Sequence, residues 1–366
     1  MDKQLMEEFN KMYFGKNQLK RRIYDEEELE IIWKSINSDR KSKSIDVGIK
    51  LNKERSIWYN ITEDIRLIIE YINDIKKSEI TKYLLESKIV DKSLLSNNRD
   101  SIISNSELLN IDYLEVFYMD TYKIESREGI YRNINEVVSV GGFSYEPYKL
   151  EHDEQSKELL WKLLDFLETD KSSSVIIKAA ILNFYIVYLN LFLNHNLEMA
   201  DYITNRYLIN NGYEIIGCCR TLDLIKADER RYYSSIENSI VNEGDVTYFI
   251  KYYVGIIQSS IKELTKEVSV KYGKKIIKEL IEKNNISLED RQIKFINSMI
   301  ALSNNKIVIE DYKKKTKVSY ETARSDMNEL VALGFFKISK SGKKYEYYFN
   351  DIATIIDDFN DINMSI

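Results

Sequence analysis

The spacing of apolar positions is helical along most of the chain. Ile65, Ile68, Ile69 and Ile72 recur three to four residues apart, so residues 61–75 predict an amphipathic helix with Thr62 as its N-cap. Residues 26–36 predict another, with a charged face. Between them, the alternation in SKSIDVGIKL predicts a short strand. The polar stretch SLLSNNRDSIISNSELL predicts a loop with a short helix after it. IYRNINEVVSVGGFSYEPY predicts a hairpin turning at Gly141-Gly142 and ended by Pro147. Helices are then predicted over residues 154–167, 173–189, 199–210 and 229–240. EGDVT, at 243–247, breaks the pattern and caps a further helix reaching about Val270.

From Leu288 the character changes. Residues 288–301 have helical periodicity, IEDYKKKT forms a short second helix, and VSYETARSDMNELVALGFF a third. Ser319 serves as N-cap of that third helix and Gly334 stops it. FFKIS and YEYYF then predict two strands around KSGKK. Three helices followed by a basic hairpin follow a winged helix-turn-helix plan. The expected organisation is an N-terminal helical region over 1–85, a main body over 86–270, a linker helix over 271–287, the winged helix over 288–350 and an acidic tail over 351–366. The fold class is mainly α.

Composition sharpens this picture. The chain has 366 residues, which at roughly 150 per domain suggests about two domains. One proline and 12 glycines leave few helix breakers. The net charge of −6 argues against a generic nucleic-acid binder, but the charge is uneven. Residues 306–350 hold 10 Lys/Arg against 6 Asp/Glu, a net of +4, which leaves −10 on the rest. A basic segment on an acidic body suggests an anionic partner for that segment. The two cysteines, Cys218 and Cys219, are adjacent and offer neither a disulfide framework nor a metal spacing. MDKQLMEEFN lacks the apolar core of a signal peptide, so a cytoplasmic location is expected. The most lipophilic run, 175–193, contains Lys178, Asn183 and Asn190 and reads as a buried core helix rather than a membrane span.

The run LNLFLNHNLEMAD joins that buried helix to the next one. It resembles the signature of the Fic (Fido) family, H-P-F-x-[D/E]-G-N-G-R-x-x-R, aligned from Asn190 to Asp201. Phe192 and Asn196 match. The histidine, the proline, the acid, both glycines and both arginines do not. The surroundings are similar as well: YLINNGY after the loop, ERRYYSSIENSIVNEGDVTYFIKYYV further on, and T-A-R-x-D-x-x-x-L-x-x-x-G in a C-terminal winged helix. The resemblance spans roughly residues 50 to 350. It implies a Fic-like helical bundle with a small β-hairpin flap before Pro147, plus the winged helix domain.

The resemblance implies a chemistry in which a histidine takes the proton from a target hydroxyl, that oxygen attacks the α-phosphate of a nucleotide, usually ATP, and pyrophosphate leaves. An acid holds Mg²⁺, and N–H groups and arginines receive the phosphates. Here Asn190 stands for the base and has no usable pKa. Asn194 stands for the metal-holding acid without its charge. His195 and Leu197 stand for glycines, where a positive φ is costly. Glu198 and Asp201 stand for arginines, reversing the local formal charge from +2 to −2. One adverse pair at about 4 Å contributes about 4 kcal/mol at an effective dielectric of about 20, less where solvent screens it. No residue of this loop is therefore expected to be catalytic and no cofactor is expected. ATP with Mg²⁺, serving an unorthodox nucleotidyl transfer to a protein hydroxyl, is the alternative. His195 reads as a solvent-facing loop histidine, with a relocated base as its alternative. Ser96, Arg99 and Asp100 are the nearest match to the family's inhibitory S-x-x-x-E helix. Arg99 would pair there with Asp201, or the segment is an ordinary polar loop.

In the winged helix, Ala323, Met327 and Leu330 are expected to face inward. That leaves Ser319, Tyr320, Thr322, Arg324, Ser325 and Asn328 toward a DNA groove, with Lys337, Lys340, Lys343 and Lys344 near phosphates. Asp326 and Glu329 are expected close to the reading face, where they would weaken DNA contact. The functional expectation is a DNA-binding transcriptional regulator or scaffold acting as a homodimer. A protein-interaction module that binds a peptide strand at the Gly141-Gly142 flap is a further alternative.

Overall fold

The computed structural model describes residues 3–51, 55–86, 110–135, 148–300, 306–341, 344–356 and 358. The expected hairpin at Gly141-Gly142, the segment holding Ser96, Arg99 and Asp100, and Lys343 lie outside the described residues. The helices and strands are α1 (Lys3–Met12), α2 (Lys16–Leu19), α3 (Glu26–Ser42), β1 (Ile45–Lys50), β2 (Ser56–Tyr59), α4 (Glu63–Lys77), α5 (Glu79–Glu86) and α6 (Ile111–Tyr122). They continue with α7 (Gln155–Thr169), α8 (Val175–Leu189), α9 (Asn196–Asn210), α10 (Thr221–Ala227), α11 (Glu229–Val241) and α12 (Thr247–Lys283). The last are α13 (Asp290–Met299), β3 (Lys306–Ile307), α14 (Ile309–Thr316), α15 (Tyr320–Ala332), β4 (Phe336–Ser341) and β5 (Lys344–Phe349). The architecture is mainly α, as expected. Two compact units divide it, Met1–Asn73 with Leu95–Ser260 and Asp74–Leu94 with Ile261–Ile366.

In the first unit α8 is the central helix, and every residue from Ile176 to Leu189 is buried. Lys178 and Asn183, two of its polar members, are satisfied within the fold. The Lys178 ammonium donates to the Leu167 carbonyl at 2.9 Å and lies 3.7 Å from the Asp170 carboxylate. The Tyr232 hydroxyl donates to the Asn183 amide oxygen at 2.6 Å. A run lipophilic enough to suggest a membrane is thus a core helix, and among the described residues no helix is long and apolar enough to cross one.

The expected strand in SKSIDVGIKL is β1, paired antiparallel with β2 through Ile45↔Tyr59, Asp46↔Trp58 and Lys50↔Ser56. EGDVT does more than interrupt the helices. Trp58 N–H donates to the Gly244 carbonyl at 3.0 Å and Val246 N–H returns to the Trp58 carbonyl at 2.9 Å, so this turn lies parallel to β2. Gly244 is required twice over: its φ is +85°, and a Cβ there would meet the Ser56 carbonyl oxygen at 2.8 Å.

The same turn buries Asp245 completely. The Tyr13 hydroxyl donates to it at 2.8 Å and Thr247 N–H at 3.1 Å. Asn60 donates to the Tyr13 hydroxyl at 3.0 Å, and the Arg40 guanidinium lies 4.1 Å from the centre of the Tyr13 ring. Arg40 also donates to the Tyr248 hydroxyl and the Phe9 carbonyl, each at 2.8 Å. One carboxyl thereby joins the α1–α2 turn, α3, β2 and the start of α12.

In the second unit α12 runs on to Lys283 with no stop at Val270, so residues 271–283 continue one helix. Gly273 does not break it. A Cβ there would meet Ile300 Cγ2 at 2.8 Å, so this glycine permits close packing beside the end of α13. After α13 the order is strand, helix, helix, strand, strand, with an antiparallel sheet ordered β3-β5-β4. The two-residue β3 is too short for any periodicity to announce.

Burial pushes the Asp245 pKa up from 3.8 to about 6, against the lowering effect of its hydrogen bonds. The folded state keeps this proton up to about pH 6, whereas the unfolded chain releases it near 3.8. The group's contribution to stability is therefore full at low pH and falls as pH rises between those values. Asp245→Asn should remove that falling limb from the unfolding free energy measured by denaturant titration at a series of pH values. An unchanged slope between pH 4 and 6 would contradict the assignment.

Candidate functional site

The loop after α8 is built by main-chain pairing. Asn190 ends the helix in the left-handed region, at φ 44° and ψ 58°. Arg132 caps the exposed carbonyls: it donates to the Asn190 oxygen at 3.0 Å, the Leu189 oxygen at 2.8 Å and the Tyr148 oxygen at 2.5 Å. Its own N–H donates to the Leu191 carbonyl at 3.1 Å, and Leu193 N–H to the Ile130 carbonyl at 2.9 Å. Residues 130–132 and 191–193 thus run antiparallel, with a bridge at Tyr131 and Phe192.

Phe192 and Asn196, the two matches to the Fic signature, close a ring. Phe192 N–H donates to Asn196 Oδ1 at 2.9 Å and Asn196 Nδ2 donates to the Phe192 carbonyl at 2.8 Å. An Asn in the first turn of α9 thus holds the loop backbone. Asn194 is exposed, and its carbonyl accepts from the Tyr118 hydroxyl at 3.2 Å. His195 is exposed at φ 59°, with its ring stacked on Tyr122 at 3.9 Å and 1°. Of the two glycine positions of the signature, only that of His195 keeps a positive φ; Leu197 lies within α9. Histidine is among the residues that tolerate this region better.

The acids of the loop have partners. Glu198 sits in the first turn of α9, and the Lys226 ammonium donates to its carboxylate at 2.7 Å. Burial alone would raise its pKa. Lys226 and the residue's own backbone N–H outweigh that and hold the carboxyl below the ordinary range. The carboxylate thus lies at the positive end of the helix dipole. Asp201 is buried; it accepts from Asn205 Nδ2 at 2.9 Å and from the Thr221 hydroxyl. The Asn190 side-chain nitrogen is buried and meets no acceptor among the described residues. Also among the described residues, no group of three His, Cys, Asp or Glu side chains is placed to hold a metal ion.

A second candidate surface lies on α15. Ser319 caps that helix through Thr322 N–H at 3.1 Å, and its hydroxyl lies 3.0 Å from that of Thr322. Ser319, Tyr320, Arg324, Ser325 and Asn328 are exposed, Thr322 is half-buried, and Lys337 and Lys340 are exposed on β4. Lys344 begins β5. Ala323, Met327 and Leu330 are fully buried.

The expectation for Asp326 is corrected, while Glu329 is exposed. Asp326 is buried and accepts from Arg291 at 2.8 and 3.1 Å and from the Tyr312 hydroxyl at 2.8 Å, tying α13, α14 and α15 together. Glu329 accepts from Gln292 at 2.8 Å. Helical phase alone places Asp326 near the reading face, because sequence does not reveal a cation on another helix.

Arg132, Lys226, Thr221 and the aromatic face of α6 are absent from the sequence reading of the loop. The spacing of Tyr113, Phe117, Tyr118 and Tyr122 in IDYLEVFYMDTY is the one available signal. These rings share a helix face, and Tyr118 stacks on Phe192 at 5.3 Å.

No protein family model matches the chain, and no curated protein matches it. Among solved structures, the chain is similar to a Fic family protein from Desulfovibrio desulfuricans G20, the family that its sequence resembles. The TM-score is 0.42 at 15% identity, over 80% of this chain and 97% of that one. A likeness at that level carries no argument of its own.

Arg132→Ala should lower the unfolding free energy by about 3 kcal/mol, since three inward-facing carbonyls lose their donor. Arg132→Lys should restore only part of it, because a single ammonium cannot fork between them. Denaturant titration checks this, and a loss below about 0.5 kcal/mol for the alanine variant would contradict it.

Proposed function

We propose that this protein is a DNA-binding regulator in which a Fic-like domain keeps its architecture and has given up nucleotidyl transfer. The observation that carries this reading is the sorting of charge and polarity on α15. Its acids Asp326 and Glu329 bond to Arg291, Tyr312 and Gln292. Ser319, Tyr320, Arg324, Ser325 and Asn328 face solvent, as do the acids Glu321 and Glu329, while Asp326 is buried. Short hydroxyl and amide side chains and an arginine at the start of a helix suit base edges and phosphates in a major groove. The chain order of α13, β3, α14, α15, β4 and β5 supports a winged helix, with Lys337, Lys340 and Lys344 on the wing strands.

The loop at Asn190–Asp201 supports the catalytic half of the reading. A magnesium triphosphate does not fit its residues. The first-turn N–H that would receive phosphate faces the Glu198 carboxylate, and Asp201 is buried further along α9, where it accepts from Asn205 and Thr221. An amide at Asn190 accepts no proton near neutral pH. The domain then serves as a scaffold or sensor for the DNA-binding unit. One module makes few phosphate contacts, so two copies of the chain bind one DNA site.

Fluorescence anisotropy of a labelled duplex with the full chain tests the DNA reading. The logarithm of the affinity should fall linearly with the logarithm of salt concentration, by about 0.9 per phosphate contact. Arg324→Ala should weaken binding, and Lys340→Ala should also reduce that slope by about 1. Absence of binding to any duplex, or an affinity insensitive to salt, would contradict the proposal.

A further inference from the structure

A cavity of about 570 Å³ opens in the first unit between β1, α7 and the C-terminal half of α8. That volume lies within the roughly 300–1,000 Å³ of small-molecule sites. Val47, Ile49, Leu163, Phe166 and Leu189 make its walls largely apolar, while Lys162 and Asp165 at the rim are exposed.

Two features mark it as more than a packing gap. The first is Tyr185. Its side chain lines the cavity and is 1% exposed, yet its hydroxyl has no hydrogen-bond partner among the described residues. Tyr188, one turn on, donates to the Leu51 carbonyl at 3.0 Å, and Asn183, half a turn back, bonds to Tyr232. A buried phenol normally finds a partner. The Asp46 carboxylate, the nearest charge on β1, accepts instead from Gly48 N–H at 2.7 Å. The second feature is the irregular register of β1 between Asp46 and Lys50. At Gly48, where φ is +77°, an added Cβ would meet nothing within 4 Å. Irregularities of this kind concentrate beside binding sites.

We propose that this cavity binds a neutral, mainly apolar small molecule carrying one hydrogen-bond acceptor, such as a ketone or ether oxygen, which takes the free O–H of Tyr185. The mainly apolar walls favour a neutral ligand; this site is separate from the loop at Asn190–Asp201 and does not depend on the DNA-binding reading. The charges that line it balance, Lys50 and Lys162 against Asp165 and Asp170, which leaves the mouth without a net preference for ions.

Paired aromatic probes test the claim on the full chain. Benzophenone and 1,1-diphenylethylene have nearly the same shape and differ in an oxygen against a methylene. Equilibrium dialysis should show benzophenone bound about tenfold more tightly, because a site built to donate a hydrogen bond discriminates against the analogue that cannot accept it. In Tyr185→Phe the two should bind alike, with the alkene unchanged. Leu159→Trp, which fills the cavity from α7, should abolish benzophenone binding and keeps the test decisive if the first variant fails to fold. Equal affinity of the two probes for the native chain, failure of either to bind, or a ketone preference that survives in Tyr185→Phe would overturn the proposal. So would full benzophenone binding by a folded Leu159→Trp variant.

Discussion

The carboxylate of Glu198 lies at the N-terminus of α9, against its own N–H and the ammonium of Lys226. A helix N-terminus attracts negative charge whether a ligand or the chain itself supplies it. In the loop that joins α8 to α9, the chain supplies it. The arrangement satisfies the start of α9 with groups of the chain itself. It also explains why an acid at an arginine position of the Fic signature does not unfold the helix start: Lys226, on α10, answers the charge.

The backbone of the loop is held independently of those substitutions. Arg132 satisfies the carbonyls at the end of α8, and Asn196 closes the ring around Phe192. Left-handed conformations at Asn190 and His195 persist in residues that bear it better than most. Above them lie aromatic rings of α6, with Tyr122 stacked on His195 and Tyr118 bonded to the Asn194 carbonyl. These contacts are made by main-chain groups, amides and aromatic rings, so the loop's shape does not depend on the charged side chains at Glu198 and Asp201.

How much of this is legible in sequence follows from the range of the interactions. Local patterns are visible: the isoleucines of α4, the Ser319 cap, Gly334 at φ +78° after α15, and the all-apolar α8. Phe192 and Asn196 mark the loop because they act within four residues of each other. Arg132 lies 58 residues from the Asn190 carbonyl it caps, and Lys226 lies 28 residues from Glu198. No periodicity connects such pairs. The same limit misplaced Asp326, whose partner Arg291 is 35 residues away. It also hid the role of EGDVT, which is readable as a helix break but not as the companion of β2. The continuity of α12 with the expected linker helix is equally invisible, because the packing of Gly273 against Ile300 is a contact between distant residues.

The central claim is that the protein's own charges fill the place where a nucleotide phosphate would bind. Calorimetric titration of the full chain with ATP and excess magnesium tests it most directly. The account predicts no saturable heat at any accessible nucleotide concentration. Saturable, magnesium-dependent binding that Lys226→Ala or Glu198→Ala alters would contradict it.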